Sequence, residues 1–172
     1  MDEAGFAESY RQHRARSREA LDARFKGGLA DHAEQTTRLH TASHLLQQAL
    51  RQVLGEHVHQ MGSNITSERL RFDFSHPDRL TDEQIAAVED LVNRQIQADL
   101  PVSMQVMPLE QALAGGALAF FGEKYGEQVK VYAIGNFSKE VCGGPHVNHT
   151  GELGRFHIGK QEAVGRGVRR IR

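Results

Sequence analysis

Apolar and polar positions along the chain switch repeatedly between the period of a helix and the period of a strand. From about Glu34 to Leu54, the residues Leu39, Ala42, Leu46, Ala49, Leu50 and Val53 recur three and four apart, which predicts an amphipathic helix closed by Gly55. The stretches 57–65 and 70–74 read as two short strands of a hairpin around Thr66-Ser67-Glu68. Thr81-Asp82-Glu83-Gln84 supplies the cap and acidic first turn of a second helix carrying Ile85, Val88, Leu91, Val92 and Ile96, and Pro101 follows its end. Val102, Met104 and Val106 alternate as a strand, Pro108 opens a short helix that ends at Gly115-Gly116, and Val129, Val131 and Ala133 alternate again. The stretch 154–171 mixes apolar alternation with glycines and predicts one or two more strands. Upstream, 3–25 is rich in Arg, Glu, Ala and Gln with sparse apolar residues, a polar helix stopped by Gly27-Gly28. The expected organisation is therefore a polar helical appendage at 1–28 and one domain at 29–172. Strands and helices do not alternate regularly enough for a doubly wound sheet, so the fold class expected is α+β, an antiparallel sheet with packed helices.

Composition narrows the classes. At 172 residues, with 39% hydrophobic and 25% charged residues and a mean hydropathy of -0.51, the chain has the usage of a soluble domain with a core of its own. No apolar run approaches the roughly 20 residues of a bilayer-spanning helix, so a soluble protein is expected. The start, MDEAGFAESYRQ, lacks the apolar core and cleavage site of a secretion signal, so a cytoplasmic location is expected. The net charge of -1 hides a gradient: 27–149 holds nine Lys/Arg against fifteen Asp/Glu, whereas 150–172 holds six against two. A basic end on an acidic body suits contact with a phosphate backbone at one place, and equally suits a solvated end.

The candidate chemistry lies in histidines and one cysteine. Ten histidines accompany a single Cys142, which is a buried thiol, a nucleophile or a metal ligand. His40 and His44 stand four apart on the first helix, so their rings project side by side, on a stripe rotated from Leu39, Leu46 and Leu50. Cys142-Gly-Gly-Pro-His146 can aim a thiolate and an imidazole inward across a glycine loop. His40, His44, Cys142 and His146 together form a nitrogen and sulfur donor set suited to tetrahedral zinc, placed between a helix and a loop. Thr-Ala-Ser between His40 and His44 lacks the glutamate base of a metalloprotease, and one cysteine cannot make the ligand pair of a nucleobase deaminase.

The segments HTASHLLQQALRQVLG, HVHQMGSNITSERLRFDFSHP, LAFFGEKYGEQVKVYAIGNFSKEVCGGPHVNHTGELGRF and GVRRI resemble, in order and spacing, the editing domain of bacterial alanyl-tRNA synthetase and its freestanding relatives, over roughly 26–172. The resemblance implies an α+β fold shared with threonyl-tRNA synthetase editing domains and zinc-dependent hydrolysis of mischarged tRNA, chiefly Ser-tRNA(Ala) and Gly-tRNA(Ala). It implies His40, His44, Cys142 and His146 as metal ligands and Gln60 as a pocket residue. Ser43 stands where the family usually has Thr, and Pro145 replaces the Thr of CGGTH, which brings in Ser-tRNA(Thr) or a non-catalytic module holding the tRNA acceptor end as alternatives. Ser43, Gln60 and the backbone N–H groups of Gly143 and Gly144 are the candidates for fixing the seryl hydroxyl, a water or an oxyanion. Arg155, Lys160, Arg166, Arg169 and Arg170 are the candidates for the acceptor-stem phosphates. Both a freestanding editor and an excised synthetase domain fit the resemblance.

Overall fold

A computed structural model describes residues 29–120 and 125–172; the expected N-terminal helix with its Gly27-Gly28 boundary, and most of the GEKYG segment, lie outside the described residues. In chain order the elements are α1 (Glu34–Leu54), β1 (Gln60–Ile65), β2 (Leu70–Ser75), α2 (Asp82–Gln97), β3 (Val102–Pro108), α3 (Leu109–Ala114), β4 (Gln128–Ile134), β5 (Ser138–Val141), a single 3-10 turn (Thr150–Leu153), β6 (Gln161–Gly165) and β7 (Val168–Ile171). The class is α+β, as the irregular order of strands and helices implies. It carries two antiparallel sheets rather than the one expected, with strand orders β1-β2-β7-β6 and β3-β4-β5. The first hairpin strand begins at Gln60 instead of 57: ahead of it the Ser75 N–H still donates to the His59 carbonyl at 3.0 Å, but Ser75 Oγ takes the His59 N–H and donates to the His57 carbonyl in place of further ladder bonds.

Helix formation follows local chemistry. Thr81 and Gln84 form a reciprocal capping box at the start of α2, with Thr81 Oγ1 accepting from the Gln84 N–H at 3.2 Å and Gln84 Oε1 accepting from the Thr81 N–H at 2.9 Å. α1 ends at Gly55, whose φ of 120° lies in a region that a side chain disfavours. The apolar stripe of α1 (Leu46, Ala49, Leu50) joins Val88, Val92 and Ile96 of α2 and Phe72, Phe74 and Ile171 of the four-stranded sheet in the main core. A second, smaller core lies between α3 and the three-stranded sheet: Ala112, Ala117, Val129, Val131 and Val141.

Polar side chains stitch the irregular stretch 148–158 to these elements. Asn93 on α2 binds both backbone groups of Phe156 at 2.9 Å, and Glu89 accepts from the Ile158 N–H at 2.6 Å. Thr150 Oγ1 donates to the Gln95 carbonyl and accepts from the Leu100 N–H, each at 2.7 Å. The stretch carrying the TGELG segment is thereby fixed although it has few ladder bonds, since side chains take the backbone N–H groups of Asn148, His149, Gly151, Phe156 and Ile158. Its carboxyl side leads into β6 and β7, and its amino side is the loop that follows β5.

Candidate metal centre

The loop after β5 meets α1. The Cys142 N–H donates to the Lys130 carbonyl at 3.0 Å, which carries the β4–β5 ladder one residue past Val141. Side chains alternate along a strand, so Cys142 falls on the same face as Glu140 and as Tyr132, its cross-strand partner. On that face stand His40 and His44, one turn apart on α1 and only 5% and 4% exposed. His146 returns from the loop so that the ligand atoms of His40, His44, Cys142 and His146 all lie within 4.8 Å of one another. The His40 and His146 rings stack at 4.3 Å, and His44 meets His146 edge-on at 4.5 Å.

Each ring has its Nδ1 turned to a different partner. His40 Nδ1 donates to the Pro145 carbonyl at 2.9 Å, while its Nε2 lies 3.3 Å from Cys142 Sγ. Thr41 is fully buried and its Oγ1 donates to the Thr37 carbonyl, so its lone pairs face His146 Nδ1 at 3.1 Å and the Val147 N–H at 3.2 Å. That arrangement puts the His146 proton on Nδ1 and leaves Nε2 bare; it is buried with no partner among the described residues. His44 Nδ1 is likewise buried without a hydrogen bond among the described residues, its nearest polar neighbour being Glu140 Oε2 at 3.5 Å, an electrostatic contact too long for a well-formed hydrogen bond. Ring nitrogens held from behind in this way are what metal-ligating histidines require.

The electrostatics favour neutral rings. Burial lowers the pKa of His40, His44 and His146, and the mutual repulsion that their charged forms would suffer lowers those of His44 and His146 further. Burial pushes Glu140 up to about 8, although Ser138 Oγ donates to it at 3.4 Å. A set of three neutral imidazoles, a thiol and a carboxyl group, with His40, His44 and Glu140 buried and Cys142 and His146 half-buried, and with two ring nitrogens orphaned in its midst, fits a bound cation that would supply the missing charge.

The two loop glycines are not equivalent. A Cβ on Gly144 would overlap the His40 ring, whereas one on Gly143 would meet open space. The Gly144 N–H points at Cys142 Sγ at 3.5 Å, so it serves the sulfur rather than standing free for an oxyanion. Ser43 Oγ donates to the His40 carbonyl at 2.6 Å, which spends its proton inside α1 and leaves only its lone pairs to serve a ligand. Gln60 opens β1 opposite Phe74, half-buried, in the sheet that does not carry β5. The structure thus gathers the four ligand candidates closely and places Gln60 on a different sheet. Sequence reasoning missed Thr41, Tyr132 and Glu140; Thr41 and Glu140 each neighbour a ligand motif, while Tyr132, whose ring centre lies 4.2 Å from that of His146, gives no signal without the β4–β5 register.

The basic candidates divide. Arg155 and Arg166 are exposed. Arg170 instead makes a bidentate pair with Asp73 at 2.7 and 2.8 Å, joining β7 to β2, and Lys160 pairs with Glu162 at 2.7 Å. Arg169 donates to Gln161 Oε1 at 3.3 Å. Acidic neighbours on the same sheet thus occupy two of the five named cations.

Residues 129–172 match the sequence family described as threonyl and alanyl tRNA synthetase second additional domain. The whole chain is homologous to a segment of alanine–tRNA ligase. It is 62% identical over 167 residues to the enzyme of Treponema denticola, 97% of the chain and 28% of that protein. It is 60% identical over all 172 residues to that of Treponema pallidum, again 28% of the relative, and 56% identical over 136 residues to that of Nitrosococcus oceani. The chain spans less than a third of the length of these relatives. The editing-domain resemblance is borne out. No helix among the described residues is long and apolar enough to cross a membrane.

Two outcomes are expected. Gly144→Ala should lower the metal content of the purified protein by at least half while Gly143→Ala leaves it unchanged, as read by elemental analysis; equal effects would contradict the close approach of His40 to the loop. In metal-free protein, the imidazole contributions to stability are whole above the ordinary 6.5 and are lost as pH falls, because the unfolded chain takes up protons first. Glu140 works oppositely: its contribution is whole below 4.5 and is lost as pH rises toward about 8. Calorimetry in chelator should therefore show Tm falling on acidification below 6.5, where three groups outweigh one, and falling also between 6.5 and 8, the second loss vanishing in Glu140→Gln. A Tm flat across both windows would contradict the burial of these groups.

Proposed function

We propose that the chain is an aminoacyl-tRNA editing module that hydrolyses the ester of mischarged tRNA, chiefly Ser-tRNA(Ala) and Gly-tRNA(Ala), with zinc held by His40, His44, Cys142 and His146. The observation that carries this reading is the convergence of those four ligand atoms within 4.8 Å in a chain homologous throughout to alanine–tRNA ligases. Three imidazoles and a thiol suit zinc better than a hard cation, and a redox-inactive ion suits hydrolysis. Zinc, when bound, supplies positive charge that polarises a carbonyl or water. The rest of the chemistry belongs to the chain. Pro145 and Thr41 hold two of the rings from behind, Glu140 faces the third, and the Gly144 N–H stabilises sulfur as thiolate, beside an ester already activated toward attack.

Specificity follows from unpaired groups. A pocket that hydrogen-bonds a seryl hydroxyl leaves its own polar atoms unsatisfied when alanine enters, and sites of that kind reject the analogue lacking the hydroxyl by up to about 10⁴. The lone pairs of Ser43 and the amide of Gln60 are the proposed partners of that hydroxyl or of the attacking water. The contact of Pro145 to His40 does not separate the alanyl from the threonyl reading, since it is made by the backbone carbonyl, which a Thr there would offer equally. Exposed Arg155 and Arg166 are the proposed phosphate contacts, with Arg169, Arg170 and Lys160 contributing only as far as their acidic and polar partners leave them free. The location proposed is cytoplasmic, where tRNA is charged, and the polar segment 1–28 is proposed as an appendage to the editing domain.

The zinc-loaded protein should hydrolyse Ser-tRNA(Ala) at least ~100-fold faster than Ala-tRNA(Ala). His44→Ala should abolish this together with metal binding, while Gln60→Ala should reduce the ratio with metal retained. A deacylation assay over Ser-tRNA(Ala), Gly-tRNA(Ala), Ser-tRNA(Thr) and Ala-tRNA(Ala), beside a tRNA-binding measurement, decides among the readings. Equal rates on all four reject editing, a preference for Ser-tRNA(Thr) moves the assignment to the threonyl system, and binding without hydrolysis leaves a holding module.

A further inference from the structure

The sheet β3-β4-β5 has one covered face and one that is half open. On the covered face Met107, Val129, Val131 and Val141 pack beneath Ala112 of α3 and Ala117. The other face begins at the ligand cluster, with Cys142 and Glu140 at the β5 side, where α1 packs against the sheet. Next to Glu140 comes Tyr132, then Met104 directly across from Tyr132, and Val106 across from Lys130. Burial along β4 rises in one direction on this face, from exposed Lys130 through half-buried Tyr132 to buried Ile134. Met104 is 46% and Val106 61% exposed, both on β3, where an alternating strand would normally bury one face. Scattered exposed apolar side chains need no explanation. These two differ because they line up with the aromatic ring that touches a ligand histidine, so the apolar strip runs without interruption into the cluster.

We propose that this strip, Val106, Met104 and Tyr132 with Lys130 beside it, seats the 3′-terminal nucleoside of the substrate RNA. The inference rests on the editing reading and deepens it. In such a substrate the ester hangs from the terminal ribose, so the attached base must lie within one nucleoside of the cluster. Strand geometry sets the scale: Tyr132 to Met104 is one inter-strand spacing, about 4.8 Å, and Met104 to Val106 is two residues along a strand, about 6.8 Å, which together match a ribose and its base. A base offers a flat apolar face that binds such a surface without hydrogen-bond readout, and methionine sulfur is a polarisable partner for an aromatic ring. Lys130 provides charge for the phosphate that joins the terminal nucleoside to the preceding one.

The test uses the full zinc-loaded chain and an acceptor-stem RNA of tRNA(Ala) whose terminal adenine is replaced by 2-aminopurine. Binding to the wild type should quench the probe, and Met104→Asp with Val106→Asp should remove the quenching, raise Kd at least tenfold and raise KM for Ser-tRNA(Ala) with kcat little changed. Met104→Ala with Val106→Ala, a milder pair, should shift Kd and KM in the same direction. Val164→Asp, an equally exposed apolar residue on the other sheet, should behave as wild type. Metal content and Tm, read on every variant, separate loss of the seat from loss of the fold. Unchanged quenching and KM in both double variants, with wild-type hydrolysis intact, overturn this inference and leave editing standing; a wild type that hydrolyses no mischarged tRNA overturns the editing reading itself and this inference with it.

Discussion

Three imidazoles crowded against a thiol at the edge of a protein interior are tolerable only if the rings stay neutral and their nitrogens find partners or an ion. That requirement organises the whole centre. The Nδ1 atoms of His40 and His146 are hydrogen-bonded to the Pro145 carbonyl and the Thr41 hydroxyl, and that of His44 faces the Glu140 carboxyl, so the neighbours come from the loop, from α1 and from β5. Holding the rings from three sides fixes their remaining nitrogens on one centre. Thr41 is the narrowest point of this arrangement, because one buried hydroxyl donates to its own helix and serves both His146 and the Val147 N–H. Its loss would orphan two groups of the loop and release a helix carbonyl at once, a cost that a single surface hydrogen bond would not incur.

The rest of the fold places helix and loop against each other. α1 must lie across the β5 edge of the small sheet while its apolar stripe faces the main core, and the two sheets are what permit both contacts. The Asp73–Arg170 pair and the capture of Phe156 by Asn93 hold the C-terminal stretch, so the chain that follows the ligand loop cannot drift away from α2. Gly144 is the point where this closeness shows in the sequence: the second glycine of the loop exists because the His40 ring occupies the space a side chain would need.

Much of this was legible before any coordinates. The period of α1, the Thr81 capping box, the Pro108 start of α3 and the spacing of both ligand pairs all follow from local rules, and local rules depend only on neighbours in sequence. What was not legible depends on register. Ser138–Val141 has no distinctive alternation, and it becomes a strand because β4 supplies its partner. Glu140 and Tyr132 acquire roles only through that pairing, and the second sheet exists because β3 and β4 pair with each other rather than with the hairpin. Which of the basic residues are paired was equally illegible, because charge counting sees residues, whereas Asp73 lies 97 positions from Arg170 in the chain and beside it in space.

The central claim, that His40, His44, Cys142 and His146 bind one ion with three nitrogens and a sulfur, is tested most directly by loading metal-free protein with cobalt(II) and recording its absorption spectrum. The account predicts saturation at one equivalent, intense visible bands of a four-coordinate ion, and a near-ultraviolet sulfur-to-cobalt band that Cys142→Ser abolishes. Weak bands of a six-coordinate ion, or a spectrum indifferent to Cys142→Ser, would contradict it.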